Sequence, residues 1–161
     1  MTTAASVLEL LERRGATLAT AESLTGGRVA AALTAVPGSS AVFVGGVVAY
    51  ATVVKESVLG VPLALIDEHG VVSAECARAM ALGVRALTGA TYAVSTTGVA
   101  GPGEQDGVRP GTVYVGVAGP GSPIAVALEL SGDRAAVQQQ ATREALSAVA
   151  AILDVEETRL G

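Results

Sequence analysis

The sequence predicts an α/β fold, a three-layer α/β/α sandwich around a mixed, partly parallel sheet. Strand-like apolar runs alternate with helix-like segments in the first half of the chain, which is typical of parallel strands with crossover helices. A Gly-Pro-Gly turn then joins two strand-like runs, as in an antiparallel hairpin, and a long helical segment follows. With 161 residues, no internal repeat and no linker, one domain over residues 1–161 is expected.

The first half of the chain is punctuated by turn residues that bound each predicted element. Pro37 stops an alanine-rich helical pattern, and Gly45-Gly46 interrupts a valine-rich run, which indicates a bulge or a close backbone approach. The predicted elements are, in order, an amphipathic helix at residues 4–14, a buried strand at 17–21, a helix at 28–36 and a strand at 42–54.

The second half contains two predicted helices with polar caps and a long loop. Ser73 and Ser131 are suitable N-cap residues for the two helices. Residues 98–111 hold five glycines and two prolines, and a loop of that length is usually functional. The predicted elements are a helical turn at 55–59, a charged surface turn at 66–70, a helix at 74–87, strands at 92–97, 111–118 and 124–130, and a helix at 133–153 before a charged tail.

The composition argues against several classes of partner. A net charge of −5 gives no attractive field for nucleic acid or anionic lipid, and four aromatic residues are too few for base-stacking platforms. Prolines and glycines interrupt both long uncharged stretches, so a membrane span is not expected. A single cysteine and the absence of a signal-peptide pattern fit a reducing compartment, and a cytoplasmic domain is expected.

The familiar catalytic and cofactor motifs are also missing. The sequence has no G-x-x-x-x-G-K, no G-x-G-x-x-G after a strand and no G-x-S-x-G. Its carboxylates are scattered, so neither a metal site nor a cofactor is expected. The only histidine, His69, falls in a charged surface turn, and Cys76 fits a small buried helix residue better than a reactive thiol.

One candidate site is the run Thr-Ala-Glu-Ser-Leu-Thr-Gly-Gly at residues 20–27. It leads from a strand into a helix, where Ser23 could present its hydroxyl beside free backbone N–H groups that favour negative charge. The alternative is a plain N-cap. Glu22 could pair with Arg28, position the serine, or act only as a carboxylate at a helix start.

A second candidate is Lys55, the only lysine beside nine arginines. It follows an apolar run, and a lysine buried among apolar groups loses its proton easily and can act as a base. Tyr50, five residues earlier, could orient it. The alternative is a lysine at a strand end that extends its stem along apolar surface. Taken together, Ser23 and Lys55 suggest a Ser-Lys variant of nucleophile activation.

Six short motifs resemble the CinA C-terminal domain family, and they occur in the family's order over nearly the whole chain. They are Thr-Ala-Glu-Ser-Leu-Thr-Gly-Gly at 20–27, Pro-Gly-Ser-Ser at 37–40, Tyr-Ala-Thr-Val-Val-Lys at 50–55, Gly-Val-Ala-Gly-Pro at 98–102, Gly-Thr-Val at 111–113 and Ser-Gly-Asp-Arg at 131–134. The resemblance implies an α/β sandwich that hydrolyses nicotinamide mononucleotide to nicotinate mononucleotide and ammonia. By motif position it implies Ser23 as nucleophile, assisted by Lys55 and Tyr50.

The resemblance also directs expectations about the substrate. Many family members have cysteine where Leu24 stands and Ser-Asn-Glu-Ala at 51–54; these departures spare the proposed catalytic atoms and leave the shape of the pocket open. The oxyanion is expected to bind N–H groups near Ser23 or on the loop that begins at Gly98, and Arg134 is expected to hold the phosphate. The other expected substrate contacts are Glu22, Thr25, Gly26, Gly27, Ser39, Ser40, Thr97 and Gly98.

Two alternatives to this function stay open. The same Ser-Lys machinery could act on another small amide or ester, or the domain could be a non-catalytic nucleotide-binding or assembly module. In each case a small molecule is the expected partner. An alanine- and valine-rich, weakly charged surface favours a homo-oligomer, with a dimer the simplest form.

Overall fold

The computed structural model describes residues 2–161, which form a five-stranded mixed sheet between two helical layers. The strand order is β2-β1-β3-β4-β5, with β1 parallel to β2 and β3, and with β4 antiparallel to β3 and β5. The predicted α/β sandwich is confirmed. The strands are β1 Leu18–Glu22, β2 Phe43–Val48, β3 Tyr92–Gly98, β4 Thr112–Ala118 and β5 Ile124–Glu129. The helices are α1 Ala4–Arg13, α2 Arg28–Thr34, α3 Thr52–Ser57, α4 Leu63–His69, α5 Ala74–Thr88 and α6 Arg134–Leu160, with a 3-10 turn at Ser39–Ala41.

The sheet buries apolar side chains on both of its faces. On one face α1, α2 and α6 pack against Leu18 of β1 and against Val115 and Val117 of β4. On the other face α5 contributes Met80 and Val84, which pack against small alanines of β1 and β3. Because β1 and β3 are covered on both sides, they carry nearly continuous apolar and small residues, as central parallel strands do.

The second strand is shorter than the valine pattern predicts. Residues 42–54 were expected to be one strand, but β2 ends at Val48, and the chain turns after Ala49 into helix α3. Val54 packs on the core from that helix rather than from a strand. Alternating and helical apolar patterns are hard to separate over so few residues, which explains the wrong prediction.

The predicted irregularity in β2 exists, but it lies one residue earlier than the glycine pair. Leu18 of β1 pairs with Phe43, while Ala19 pairs with Gly45, so Val44 is the extra residue. Gly46 is needed for a different reason, which is the close packing of β2 against β1. A Cβ on Gly46 would overlap the hydroxyl of Thr20 on the neighbouring strand, so glycine permits the close approach.

Two helix boundaries also differ from the sequence prediction. The expected surface turn at residues 66–70 is the end of helix α4, whose Leu65 and Ile66 pack on the core. The last helix is capped by Asp133, whose Oδ1 accepts a hydrogen bond from the amide of Ala136 at 2.9 Å, and not by Ser131.

Helix α6 is longer than predicted because its end is attached to the first helix and the sheet. It runs to Leu160, and Glu156 accepts hydrogen bonds from Arg14, at 3.2 Å, and from the hydroxyl of Tyr92. These contacts stabilise the charged C-terminal segment as part of the helix. Within residues 2–161, no helix is both long enough and apolar enough to cross a bilayer.

We expect Gly83→Ala to destabilise the protein, although alanine is the better helix former. A Cβ at Gly83 of α5 would overlap the carbonyl oxygen of Leu59, which is backbone and cannot rotate away. Alanine gains about 1 kcal/mol of helix propensity, while overpacking at a fixed contact costs about 1–3 kcal/mol or more. Urea unfolding should therefore show a net loss of stability.

Gly121→Ala is the matched control for this substitution. Gly121 lies in the β4–β5 turn, has open space around its Cβ position and does not require a positive φ. Its unfolding free energy should change by no more than about 0.5 kcal/mol. A Gly83→Ala protein as stable as the wild type would show that helix α5 can shift away from Leu59 at no cost.

Candidate active site

Ser23 lies at the carboxyl end of the parallel part of the sheet. It follows β1 directly, and its amide donates to the carbonyl oxygen of Thr96 on β3 at 3.0 Å. Strand β1 lies between β2 and β3 in the sheet. The connection after β1 leads to β2 on one side of it, and the chain then continues to β3 on the other side, so a crevice forms at the carboxyl end of β1. Ligands of open α/β sheets bind at such a crevice.

Lys55 reaches the same place from the neighbouring helix α3. Its Nζ lies 2.9 Å from Ser23 Oγ, 2.8 Å from the carbonyl oxygen of Ala49 and 3.1 Å from that of Tyr50. The lysine is 2% exposed, and it makes no ion pair with a carboxylate in residues 2–161. Burial lowers the pKa of Lys55 from its ordinary value, because the charged form loses its hydration.

The three partners of Lys55 can accommodate a neutral amine. In that form the two N–H bonds go to the carbonyl oxygens of Ala49 and Tyr50, which can only accept, and the lone pair faces the Ser23 hydroxyl, which can donate as well as accept. A base in this state is ready to take the proton of Ser23. The geometry therefore suits activation of a serine nucleophile.

Cys76 is the buried cysteine on the same side of the sheet as Lys55. The prediction of a small buried helix residue is confirmed, since Cys76 is fully buried in α5. Burial raises the pKa of Cys76 to about 11, so the thiol is uncharged at neutral pH. It therefore supplies no negative charge that would keep Lys55 protonated.

Glu22 caps helix α2 and does not pair with Arg28. Its carboxylate accepts from the amides of Val29 at 2.8 Å and Ala30 at 3.1 Å, and from the hydroxyl of Thr25 at 2.6 Å. Arg28 donates instead to the carbonyl oxygen of Thr25 at 3.0 Å. Of the three interpretations of Glu22, the carboxylate at a helix start is the one that the structure supports. This corrects its prediction as a substrate contact, because its oxygens are occupied by the helix.

The other residues of the turn after Ser23 also face the protein rather than the substrate. The side chain of Thr25 is fully buried and shares a hydrogen bond of 2.8 Å with Thr96. Gly26 and Gly27 have φ values of +56° and +103°, which glycine adopts without strain. None of the three lines the cavity beside Ser23, so the expected substrate contacts at Thr25, Gly26 and Gly27 are corrected to roles in shaping the turn.

A cavity of about 260 Å³ opens at Ser23 and Lys55, a size suited to a small molecule. Thr97, Gly98 and Arg134, three of the expected substrate contacts, line it. The Thr97 hydroxyl donates to the carbonyl oxygen of Val71 at 2.6 Å, so it also fixes the wall. The remaining lining residues are Leu24, Tyr50, Thr52, Val71, Val72, Val99, Ala100, Gly101, Gly103, Glu104 and Gln105.

Tyr50 contributes two different contacts at the mouth of the cavity. Its carbonyl oxygen, not its hydroxyl, holds Lys55, which corrects the expectation that the phenol orients the base. Its side chain is 61% exposed, and its hydroxyl accepts from Arg134 Nη2 at 3.0 Å. Arg134 also donates from Nη1 to the carbonyl oxygen of Gly101 at 2.7 Å, so it has further N–H groups available for an anion.

Ser39 and Ser40 are not part of this site. They form the 3-10 turn that precedes β2, and Phe43, at the start of β2, pairs with Leu18 at the start of β1. Ser23 lies beyond the opposite end of β1, about 16 Å away along a five-residue strand. The expected substrate contacts at Ser39 and Ser40 are therefore corrected.

Several site residues were missed in the sequence. Thr96 accepts from the amide of Ser23, while Glu104 and Gln105 line the cavity from the long loop. Gln138 is buried, and its Nε2 donates to the carbonyl oxygen of Leu24 at 3.0 Å. One signal was available for Gln138, since it stands four residues after Arg134 and therefore shares its helix face.

The hydrogen bonds around the turn leave two buried amides free. The carbonyl oxygen of Ser23 accepts from Gly26, and that of Thr25 accepts from Arg28. Among residues 2–161, no acceptor is recorded for the amides of Leu24 and Thr25, although both residues are buried. Leu24 lines the cavity and Thr25 does not, so the Leu24 amide is the one placed to donate to an oxyanion.

Comparison with known proteins identifies relatives along almost the whole chain. A CinA-like protein of Frankia casuarinae is 50% identical over 147 residues, which cover 91% of this chain and 34% of that protein. The chain thus spans about a third of the length of the curated relatives it matches.

Solved structures agree with the sequence relatives. A competence-damaged protein (CinA) superfamily protein of Klebsiella pneumoniae superposes with a TM-score of 0.90 at 37% identity, covering 94% of this chain and 95% of that one. A competence or damage-inducible protein of Enterobacter asburiae gives a TM-score of 0.90 at 28% identity, covering 95% and 99%. The CinA C-terminal domain family matches residues 1–153. The chain therefore belongs to the CinA C-terminal domain family.

Proposed function

We propose that this domain is an amidohydrolase that converts nicotinamide mononucleotide and water to nicotinate mononucleotide and ammonia. The observation that carries the proposal is the 2.9 Å contact between Lys55 Nζ and Ser23 Oγ, made by a buried lysine without a counter-ion. Family membership and the small cavity beside this pair support it.

In the first half of the proposed reaction, Ser23 becomes acylated. Lys55 takes the hydroxyl proton as Ser23 Oγ bonds to the carboxamide carbon, and the carbonyl oxygen becomes an oxyanion held by the free amide of Leu24, which lines the cavity. The tetrahedral intermediate then breaks its C–N bond. Lys55 returns the proton to the leaving nitrogen, which departs as ammonia.

In the second half, water releases the acyl group. Lys55 takes a proton from water as the water oxygen attacks the ester carbon, and the second oxyanion is held by the same amide of Leu24. The C–O bond to Ser23 then breaks, and Lys55 gives its proton back to Ser23 Oγ. The enzyme returns to its starting state, and the product is nicotinate mononucleotide, whose new carboxyl group loses its proton to solvent.

The charges around the cavity fit both ends of this substrate. Arg134 has N–H groups left for the 5′-phosphate after its bonds to Gly101 and Tyr50. Glu104 lines the cavity with a carboxylate, the sign that suits a pyridinium ring. An uncharged amide would use neither group, which favours a pyridine mononucleotide over another small amide.

Ammonia release from nicotinamide mononucleotide is the direct test, with Ser23→Ala as the matched variant. The wild type should release one ammonia for each nicotinate mononucleotide formed. Ser23→Ala should lose at least about 10³ in kcat, because in residues 2–161 Ser23 Oγ is the only hydroxyl hydrogen-bonded to Lys55 Nζ. The substitution removes one buried atom, so folding and binding of the product nicotinate mononucleotide should persist.

Other outcomes of this test separate the alternatives. Release of ammonia only from another amide would keep the Ser-Lys chemistry but change the substrate. Nucleotide binding by the wild type without turnover would favour a binding module, and full turnover by Ser23→Ala would remove the mechanism.

The pH dependence should follow the protonation of Lys55. Because the lysine must be neutral to accept a proton, kcat/KM should rise with pH as the free enzyme loses that proton. Burial lowers the pKa of Lys55, so the rise should level off below 10.5, its ordinary value. The measurement is kcat/KM for the wild type over a range of pH in which the protein stays folded.

Lys55→Arg tests the same group by keeping a cation that does not release its proton. Its kcat should fall by at least about 10³ at every pH, with the rise of the profile abolished. Circular dichroism and product binding should be measured alongside, since the larger side chain enters a buried position. A wild-type profile that falls with pH would contradict a neutral base.

Arg134→Met should discriminate between substrates with and without a phosphate. We expect KM for nicotinamide mononucleotide to rise by about tenfold or more, because a charge-assisted contact is lost. KM for nicotinamide riboside, which has no phosphate, should change little. Equal effects on both substrates would indicate that Arg134 acts only through the positions of Gly101 and Tyr50.

A further inference from the structure

We infer that Thr96 is a positioning residue for the nucleophile, which it holds through a directed chain of hydrogen bonds that ends at the carboxylate of Glu22. The inference rests on the proposed hydrolytic function of Ser23. Thr96 lies on β3 and is 1% exposed, and it is not among the residues that line the cavity. It therefore acts on the reaction through Ser23 and the turn that follows it.

The hydrogens of this chain can be assigned in only one order. Thr25 Oγ1 donates its single hydrogen to Glu22 Oε1 at 2.6 Å, because a carboxylate can only accept. Thr25 Oγ1 must therefore accept in its 2.8 Å contact with Thr96 Oγ1, which donates. The oxygen of Thr96 is then left to accept from the amide of Ser23, at 3.3 Å. The chain runs from the Ser23 N–H through two hydroxyls to the carboxylate.

This chain attaches the turn after β1 to two rigid elements. The carboxylate of Glu22 also accepts from two backbone amides at the start of α2, at 2.8 and 3.1 Å. Thr96 is fixed by the sheet, where it pairs with Glu22 in the parallel register of β1 and β3. Glu22, Thr25 and Thr96 are each no more than 1% exposed, so water does not compete for these hydrogen bonds.

The turn held in this way carries both groups that the proposed reaction needs. The amide of Ser23 is bonded to the same Cα as the side chain whose Oγ lies 2.9 Å from Lys55 Nζ. The amide of Leu24, which is placed to donate to the oxyanion, follows directly in the chain. Lys55 is held by carbonyl oxygens outside this turn. A shift of the turn relative to β3 therefore moves the nucleophile and the oxyanion donor away from the base.

Thr96→Val is the test, because valine keeps the shape and replaces the hydroxyl with a methyl group. The methyl carbon needs about 3.5 Å or more from Thr25 Oγ1, where the Thr96 hydroxyl now lies at 2.8 Å, so the turn must move away from β3. A misplacement of about 1 Å can cost about 10²-fold in rate. We expect kcat for nicotinamide mononucleotide to fall by about tenfold or more.

Two further measurements distinguish positioning from a general loss of structure. KM and the Kd of nicotinate mononucleotide should stay within about twofold in Thr96→Val, because Thr96 does not line the cavity. Thr96→Ser removes the methyl group and keeps the hydroxyl. It should restore kcat to within about threefold of the wild type.

A boronic acid reports on the same geometry without turnover. Ser23 Oγ adds to the boron of pyridine-3-boronic acid while its proton passes to Lys55, and a tetrahedral boronate with an oxygen at the oxyanion position results. The Kd of this compound should rise in Thr96→Val by a factor similar to the loss in kcat. The titration also counts the competent sites, so kcat is expressed per binding site.

Thr91→Val is the matched control at the opposite end of the same two strands. Thr91 Oγ1 accepts from the amide of Thr17 at 3.1 Å, which is the contact that Thr96 makes with Ser23. Thr91 lies five residues before Thr96 along an extended chain, about 16 Å away. Its substitution should leave kcat and the boronic acid affinity within about twofold of the wild type.

The outcomes separate this inference from the proposed function. A wild type that binds the boronic acid but releases no ammonia overturns the substrate, and the boronic acid titration then decides the role of Thr96. Unchanged kcat and boronic acid affinity in Thr96→Val overturn the inference, as does an equal loss in Thr91→Val or in Thr96→Ser. A wild type that neither binds the boronic acid nor releases ammonia overturns both.

Discussion

The site depends on a buried amine that is held without a counter-ion. Lys55 has two carbonyl oxygens and one hydroxyl as partners, and no carboxylate in the described residues forms an ion pair with it. In water such a group would be charged, so burial opposes the form that is ordinarily stable. Two carbonyls and one hydroxyl provide all that a neutral amine needs. The lysine is thus satisfied while remaining a base.

Backbone pairing, rather than side-chain packing alone, sets this geometry. The amide of Ala49 donates to the carbonyl oxygen of Glu22 at 2.8 Å, which extends the parallel β1–β2 register to the residue just before Ser23. The carbonyls of Ala49 and Tyr50 therefore stand beside the nucleophile. The turn into α3 then brings Lys55 back to those same carbonyls. The paired ends of β1 and β2 therefore position both the lysine and the serine.

Local chemistry explains why some of the site could be predicted from the sequence and some could not. Ser23 and Lys55 could be found because a strand-to-helix turn and a solitary lysine after an apolar run are local features. Ser39 and Ser40 share the small, polar character of the turn after Ser23, and only the strand register separates the two ends of the sheet. The fold class could be predicted because apolar periodicity repeats over many residues.

Long-range contacts account for the remaining differences. Glu22 was equally compatible with pairing to Arg28 and with capping, since both partners lie within a few residues, and the choice depends on how α2 packs. Gln138 meets Leu24 across 114 positions of sequence, a separation that no local pattern encodes.

The neighbour of the base also has to be the right kind of polar residue. Cys76 lies close enough for its charge to influence Lys55, and a thiolate there would raise the pKa of the lysine and hold its proton. The same burial that lowers the pKa of Lys55 raises that of Cys76 to about 11, so the thiol carries no charge at neutral pH. A carboxylate in that position would ionise at much lower pH, pair with the ammonium and remove the base. A thiol therefore fills the space beside Lys55 without adding a negative charge there. Burial away from water is then what favours the neutral amine that Ser23 needs.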